Sequence, residues 1–289
     1  MQYRTLGRTG LRVSEIGFGG AQVGIPNYME TWDPTGVAEQ QSVLDALEHA
    51  LDLGLNYLDT APGYGDGISE EVLGRVVGRR RSECIVATKT SARDPRGIAA
   101  SVEASLRRLR TEVIDVLQFH GGDYPADDVE LILHRGGLEA YRRLREQGKV
   151  RFLGFTTELP SGGVSELIAS GAFDVLQVRY NLNYQCACDF ITERGVMREA
   201  KARGMGVVTM RTMTSGVFPR LMRAAFPDLA SADLEGFLLN YVLSNPLVDV
   251  ALVGMRRREE VDRNNALSDD VGRRLDLAFA HQRFFPPEP

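Results

Sequence analysis

Short runs of apolar residues alternate along this chain with longer stretches whose apolar positions recur every three or four residues. The short runs are SEIGFGG (14–20), LNYLDTA (55–61), CIVATKT (84–90), IDVLQFH (114–120), VRFLGFT (150–156), FDVLQVRY (173–180), GVVTMR (206–211) and VDVALVG (248–254). Each has the length of a buried strand. Between them, QSVLDALEHALDLG (41–54) sets Val43, Leu44, Leu47, Ala50 and Leu51 on one helical face, with Gly54 placed to end the helix. SEEVLGRVVG (69–78) predicts a helix with Ser69 as its N-cap and two glutamates in its first turn. Helical spacing also covers 97–110, 137–149, 165–171 and 197–204. Strand followed by helix, eight times over, predicts parallel strands joined by helical crossovers.

The count of eight favours a closed (β/α)8 TIM barrel, an α/β fold, over an open doubly wound sheet. An open dinucleotide-binding sheet would show G-x-G-x-x-G between its first strand and first helix. Here the first strand runs into GFGGAQVG (17–24), and a long loop follows. The segment YRTLGRTGLRVS (3–14) reads as a β-hairpin turning at residues 7–10, placed to close the bottom of the barrel. Residues 212–234 read as an insertion after the seventh strand, and residues 1–289 as one barrel domain.

Composition narrows the picture. Of 289 residues, 43% are hydrophobic and 25% charged, as in soluble globular proteins. A net charge of −5 provides no basic footprint for nucleic acid or for a membrane surface. No signal peptide or spanning segment is legible, so a cytoplasmic protein is the expectation, and no exposed apolar helix marks a dimer, so a monomer is expected. Cys84, Cys186 and Cys188 lack the spacing of a metal or disulfide framework, so no metal is expected.

Three consecutive strands end in ionisable groups: LNYLDT in Asp59, IVATKT in Lys89 and VLQFH in His120. Tyr64 follows Asp59 in the loop APGYG. In a barrel these positions share the catalytic rim. A carbonyl that accepts hydride becomes an alkoxide, so its oxygen must be protonated and its charge stabilised. Tyrosine is a weak acid at neutral pH, and a neighbouring ammonium such as Lys89 favours its ionised form. Asp59 is suited to hold Lys89, and His120 to hydrogen-bond the substrate oxygen.

These residues resemble the aldo-keto reductase superfamily. The likeness runs through LGRTGLRVSEIGFGG, NYLDTAPGYG, ATKT, QFH, GKVRFLGFT, QVRYN and GMRRREEVDRN. It implies a barrel that binds NADP(H) without a Rossmann motif, with Asp59, Tyr64, Lys89 and His120 as catalytic residues and Tyr64 as proton donor. It also implies that Gln177 contacts the nicotinamide carboxamide, with Thr156 and Thr157 standing where the family usually has Ser-Asn. Arg211 replaces the usual aromatic residue and is suited to stack on the ring or contact the pyrophosphate. The loop from Met213 to Gly216 would contact the pyrophosphate. Gly254, Arg256, Arg257 and Asn264 would form the adenosine end, the arginines taking a 2′-phosphate. Glu260 and Met255 depart from the commoner Arg and Ser/Thr, which leaves NAD as an alternative to NADP.

Tyr28, Trp32 and Tyr124 are candidate substrate-pocket residues, each equally readable as a packing residue. The ending HQRFFPPEP lacks the long C-terminal loop of some members, which implies an open pocket. The expected activity is reduction of aldehyde, ketone or sugar carbonyls. The alternatives are a sugar or alcohol dehydrogenase working oxidatively, and a cofactor-sensing regulatory subunit.

Overall fold

The computed structural model describes residues 1–284. The tail expected to leave the pocket open, from residue 285 onward, lies outside the described residues. The chain begins with an antiparallel hairpin of β1 (Tyr3–Thr5) and β2 (Arg12–Ser14), pairing Tyr3 with Ser14 and Thr5 with Arg12. There follow β3 (Ile16–Gly19), the short α1 (Ala21–Gly24), α2 (Val37–Asp52), β4 (Tyr57–Asp59), α3 (Ile68–Arg80), β5 (Ile85–Thr90), α4 (Pro95–Leu109) and β6 (Ile114–Phe119). Next come α5 (Ala126–Leu133), α6 (Gly137–Glu146), β7 (Val150–Thr157), α7 (Gly162–Ala169), β8 (Val175–Arg179), α8 (Val196–Ala202) and β9 (Gly206–Met210). The chain then forms α9 (Val217–Ala225), α10 (Leu234–Leu243), β10 (Val250–Val253), α11 (Arg258–Asp269) and α12 (Leu277–Phe284). Strands β3 to β10 are all parallel and close into a barrel, with β10 pairing β3. All eight expected strands are present; seven are shortened at their ends, and β7 runs one residue further than expected.

Because side chains alternate along a strand, every second residue faces the barrel interior. Four layers of four result, each layer drawn from alternate strands. Tyr57, Val116, Val175 and Val250 fill the lowest layer and belong to the apolar cluster inside the barrel. Above them sit four small or slim residues, Gly17, Ala87, Gly154 and Val208. The third layer is Asp59, Gln118, Gln177 and Leu252, and the fourth holds Gly19, Lys89, Thr156 and Met210. Along β4 to β8 the interior thus changes from apolar to polar over two residues, while β9 and β10 stay apolar.

The hairpin seals the apolar end. Leu6 and Val13 are fully buried and pack with Tyr57, Val116, Val175 and Val208. The backbone must come very close here: a Cβ on Gly7, whose φ is +46°, would lie 2.2 Å from the nitrogen of Gly206. Thr9 closes the turn by donating its hydroxyl to the Leu6 carbonyl at 2.6 Å.

Several local expectations need correction. Ser69 is not an N-cap. Helix α3 starts at Ile68 behind Gly67, and the buried Ser69 hydroxyl donates to the Gly20 carbonyl at 2.8 Å while accepting from Thr60 Oγ1 at 2.9 Å. It ties the loop after β3 to the loop after β4, a tertiary use that the local sequence does not show. Helix α2 starts at Val37, earlier than its apolar stripe, because its first turn faces solvent. The 212–234 insertion is largely helical, forming α9 before α10 begins. Helix α5 is a further addition, with Val129 and Ile132 buried.

Leu6→Ala removes a fully buried side chain from the plug and is expected to cost about 2–5 kcal/mol. Urea denaturation should show a lower midpoint, and an unchanged midpoint would show that the hairpin does not seal the core.

Candidate active site

The polar third and fourth layers form the floor of the barrel mouth. Lys89 is buried, and its ammonium spends all three donors: on Asp59 Oδ1 at 2.7 Å, Asp59 Oδ2 at 2.8 Å and the Thr60 carbonyl at 2.8 Å. Burial disfavours a charge at Lys89, but Asp59 and Tyr64 together outweigh it and hold the ammonium above the usual lysine range. The carboxylate and the ammonium come from neighbouring strands, brought into contact by the parallel register of β4 and β5.

Tyr64 stands over this pair. The turn after β4 is closed by the Tyr64 amide donating to the Ala61 carbonyl at 3.1 Å, and the Ser69 amide returns to the Tyr64 carbonyl at 3.2 Å. The Lys89 ammonium lies 5.0 Å from the centre of the Tyr64 ring. Burial raises the pKa of the Tyr64 phenol, and the Lys89 charge opposes this without cancelling it. The sequence expectation of a tyrosine made more acidic by lysine therefore holds for the lysine's contribution but not for the net result. Tyr64 is a neutral phenol at physiological pH.

His120 meets the Tyr64 ring edge-on, with ring centres 5.9 Å apart and planes at 88°. Burial, reinforced by Lys89 and Arg93, lowers its pKa to about 4. It is thus a neutral imidazole, able to donate one hydrogen bond while carrying no charge.

Asp59, Tyr64, His120, Thr156, Gln177, Arg211, Gly216, Gly254 and Arg256 all line one cavity of about 720 Å³. Tyr28 lines it as well. Lys89 is buried beneath the floor, against Asp59, and is not part of the cavity lining. The remaining candidates are placed elsewhere. Thr157 is buried, with its hydroxyl donating to the Leu159 carbonyl at 2.7 Å. Asn264 is buried on α11, outside the cavity lining. Tyr124 is a core residue, donating to the Thr156 carbonyl at 2.9 Å and packing edge-on against Phe155. Trp32 is also buried, with its indole donating to the Val23 carbonyl at 3.1 Å.

The arginines are already engaged. Arg256 stacks on Trp32 at 4.0 Å, donates twice to the Gln22 carbonyl, and meets Glu30 at 3.1 Å. Arg257 pairs with Glu30 at 3.0 Å and lies outside the cavity lining. Glu260 turns back on the helix start, accepting from the Arg256 amide at 2.6 Å. Arg211, at a positive φ of 56°, forks onto Glu158 at 2.7 Å and donates to the Tyr28 hydroxyl at 3.4 Å. It joins three loops across the cavity rather than lying free above it. Arg220 and Arg263, which the sequence reading did not select, are also in the cavity wall. Their helical context, in the insertion and on α11, gave no signal of a shared wall.

Gln118 was also missed, and a signal existed. It lies two residues before His120, hence on the same inward face.

Among the described residues, no group of three or more His, Cys, Asp or Glu side chains is arranged to hold a metal ion, and no helix is long and apolar enough to cross a membrane.

The wider comparisons agree with the geometry. The sequence profile of the aldo/keto reductase family matches residues 15–271. The L-galactose dehydrogenase of Arabidopsis thaliana is 30% identical, over 92% of this chain and 88% of that protein. Among solved structures, an aldo/keto reductase of Klebsiella pneumoniae in complex with NADP and acetate superposes with a TM-score of 0.77 at 23% identity, covering 99% of this chain and 96% of that one. The holo form of an aldo-keto reductase from Bacillus halodurans gives 0.76 at 24% identity, over 98% and 94% of the two chains. With a barrel rim that gathers Asp59, Tyr64, Lys89 and His120, and a family profile spanning most of its length, this chain belongs to the aldo/keto reductase family of oxidoreductases.

Proposed function

We propose that the chain is an NADP(H)-dependent reductase of small aldehyde, ketone or sugar carbonyls, with Tyr64 as general acid. The observation that carries this reading is a neutral phenol set over a buried Asp59–Lys89 pair and beside a neutral imidazole, on one cavity. When bound, the reduced nicotinamide supplies hydride to the carbonyl carbon. Tyr64 and His120 donate hydrogen bonds to the carbonyl oxygen, polarising it. As negative charge grows there, Tyr64 passes its proton to that oxygen. Lys89 stabilises the tyrosinate left behind, and Asp59 keeps Lys89 charged and in place.

The cavity suits a dinucleotide. Gln177 and Thr156 offer amide-reading groups beside the catalytic cluster, and Arg220 and Arg263 bring positive charge to the same wall, where Arg256 is paired with Glu30. The NADP-bound Klebsiella relative supports the phosphorylated cofactor. At the adenosine end, a 2′-phosphate would have to draw Arg257 away from Glu30.

A second reading is oxidation of a sugar, favoured by the relationship to L-galactose dehydrogenase. The same residues serve it in reverse, with the tyrosinate as base.

Tyr64→Phe is expected to lower kcat by at least about a hundredfold in an NADPH oxidation screen over aldehydes, ketones and sugars. Cofactor affinity should stay within about threefold of wild type. Retained turnover in this variant would overturn the assignment, and a higher kcat/KM with NADH than with NADPH would reverse the cofactor preference.

The pH profile provides a separate check. Tyr64 must be protonated to act as an acid, and its pKa is raised, so reductive kcat should persist through neutral pH and fall only as alkaline pH ionises the phenol. His120, at about 4, stays neutral above that value, so no inflection is expected near the ordinary histidine pKa of about 6.5. A clear loss of rate centred there would contradict the neutral imidazole.

A further inference from the structure

The third layer of the barrel contains a polar chain whose middle member, Gln118, the catalytic scheme does not use. Asp59, Gln118 and Gln177 come from alternate strands β4, β6 and β8 and occupy one level of the interior. Gln118 is fully buried. Its amide nitrogen lies 3.0 Å from Gln177 Oε1 and 3.4 Å from Asp59 Oδ2. Its own Oε1 is buried without a hydrogen-bond partner among the described residues. Space for this bridge comes from β7: a Cβ on Gly154 would sit 3.2 Å from Gln118 Cγ and 2.8 Å from the Val175 carbonyl.

The polarity of the chain follows from its first member. An ionised carboxylate only accepts hydrogen bonds, so the edge of Gln118 that faces Asp59 must be its NH₂. The second hydrogen of that NH₂ then goes to Gln177, which must turn its oxygen toward Gln118. What remains of Gln177 is its own NH₂, which approaches the weakly accepting Met210 sulfur at 3.8 Å and also reaches the Asp59 carboxylate. The unpaired Gln118 oxygen shows that Gln118 is not oriented for its own satisfaction. A buried polar atom without a partner carries a cost, which the neighbouring carboxylate imposes.

We propose that Gln118 is a positioning residue that links the catalytic pair to the cofactor, fixing Gln177 so that it presents a donor to the carboxamide oxygen of a bound nicotinamide. This rests on the proposed role of Gln177 in holding that carboxamide. The charge on Asp59 thereby does two things: it holds Lys89 for proton transfer, and through Gln118 it sets which face of the cofactor amide is read. Without Gln118, the Gln177 oxygen loses the donor that fixes it, and the amide is held less firmly.

A double-mutant cycle on cofactor binding tests this. Gln118→Met and Gln177→Met keep the unbranched shape and remove the amides. Titration calorimetry with NADPH should show each single variant binding about tenfold more weakly, the equivalent of one lost hydrogen bond. The double variant should be within about twofold of the weaker single, because both changes disable the same contact. Independent penalties that multiply to about a hundredfold, or wild-type affinity in a folded Gln118→Met, would overturn the proposal. Circular dichroism monitors folding, and Gln118→Leu replaces Gln118→Met if the latter does not fold. Failure of the functional reading itself would appear separately, as carbonyl reduction that is absent in the wild type or unaffected by Tyr64→Phe.

Discussion

The site depends on the contact between Asp59 and Lys89. An ammonium and a carboxylate buried together are expensive to desolvate, and the pair persists only when every hydrogen bond is met. Here the barrel meets them: two bonds from Lys89 go to Asp59 and the third to the Thr60 carbonyl. Removing either partner would leave the other as an uncompensated buried charge, typically a loss of about 3–5 kcal/mol. The same pair gives the phenol above it a positive neighbour. It also gives Gln118 an acceptor that fixes its orientation. Stability and, in the proposed mechanism, proton transfer and amide polarity thus meet in one ion pair above an apolar core.

This explains why the barrel interior is graded. The lower layers are apolar or small and are sealed by Leu6 and Val13 of the hairpin. The upper layers carry the charge. Moving the pair one inward position down would place it against Ala87, Val116 and Val208, with no backbone carbonyl free to take the third proton of the lysine. At the C-terminal rim, the strands end and their carbonyls become available, as Thr60 shows.

Much of this was legible in the sequence. Eight apolar runs separated by helical periodicity sufficed for the barrel, because buried parallel strands read as continuous apolar segments. Asp59, Lys89 and His120 were visible as polar ends of such runs, where polarity conflicts with burial and so demands a reason. What escaped was set by tertiary contact. Ser69 had the sequence position of a cap, but a carbonyl 49 residues away claimed its hydroxyl. Arg256 looked like a phosphate ligand, but Trp32, Gln22 and Glu30 surround its guanidinium. Tyr124 and Trp32 are aromatic residues in loops, and only burial separates packing from pocket lining. Gln118 was as plainly polar as His120 two residues on, yet its meaning required knowing that Asp59 and Gln177 flank it.

The most direct measurement of the central claim is a spectrophotometric titration of Tyr64, isolated as the difference between a protein and its Tyr64→Phe counterpart, made in the wild type and in Lys89→Met. If the Asp59–Lys89 pair governs the proton on Tyr64, removing the ammonium should move the titration of this phenol to higher pH by about one unit or more. An unchanged or lower midpoint in Lys89→Met would contradict the account.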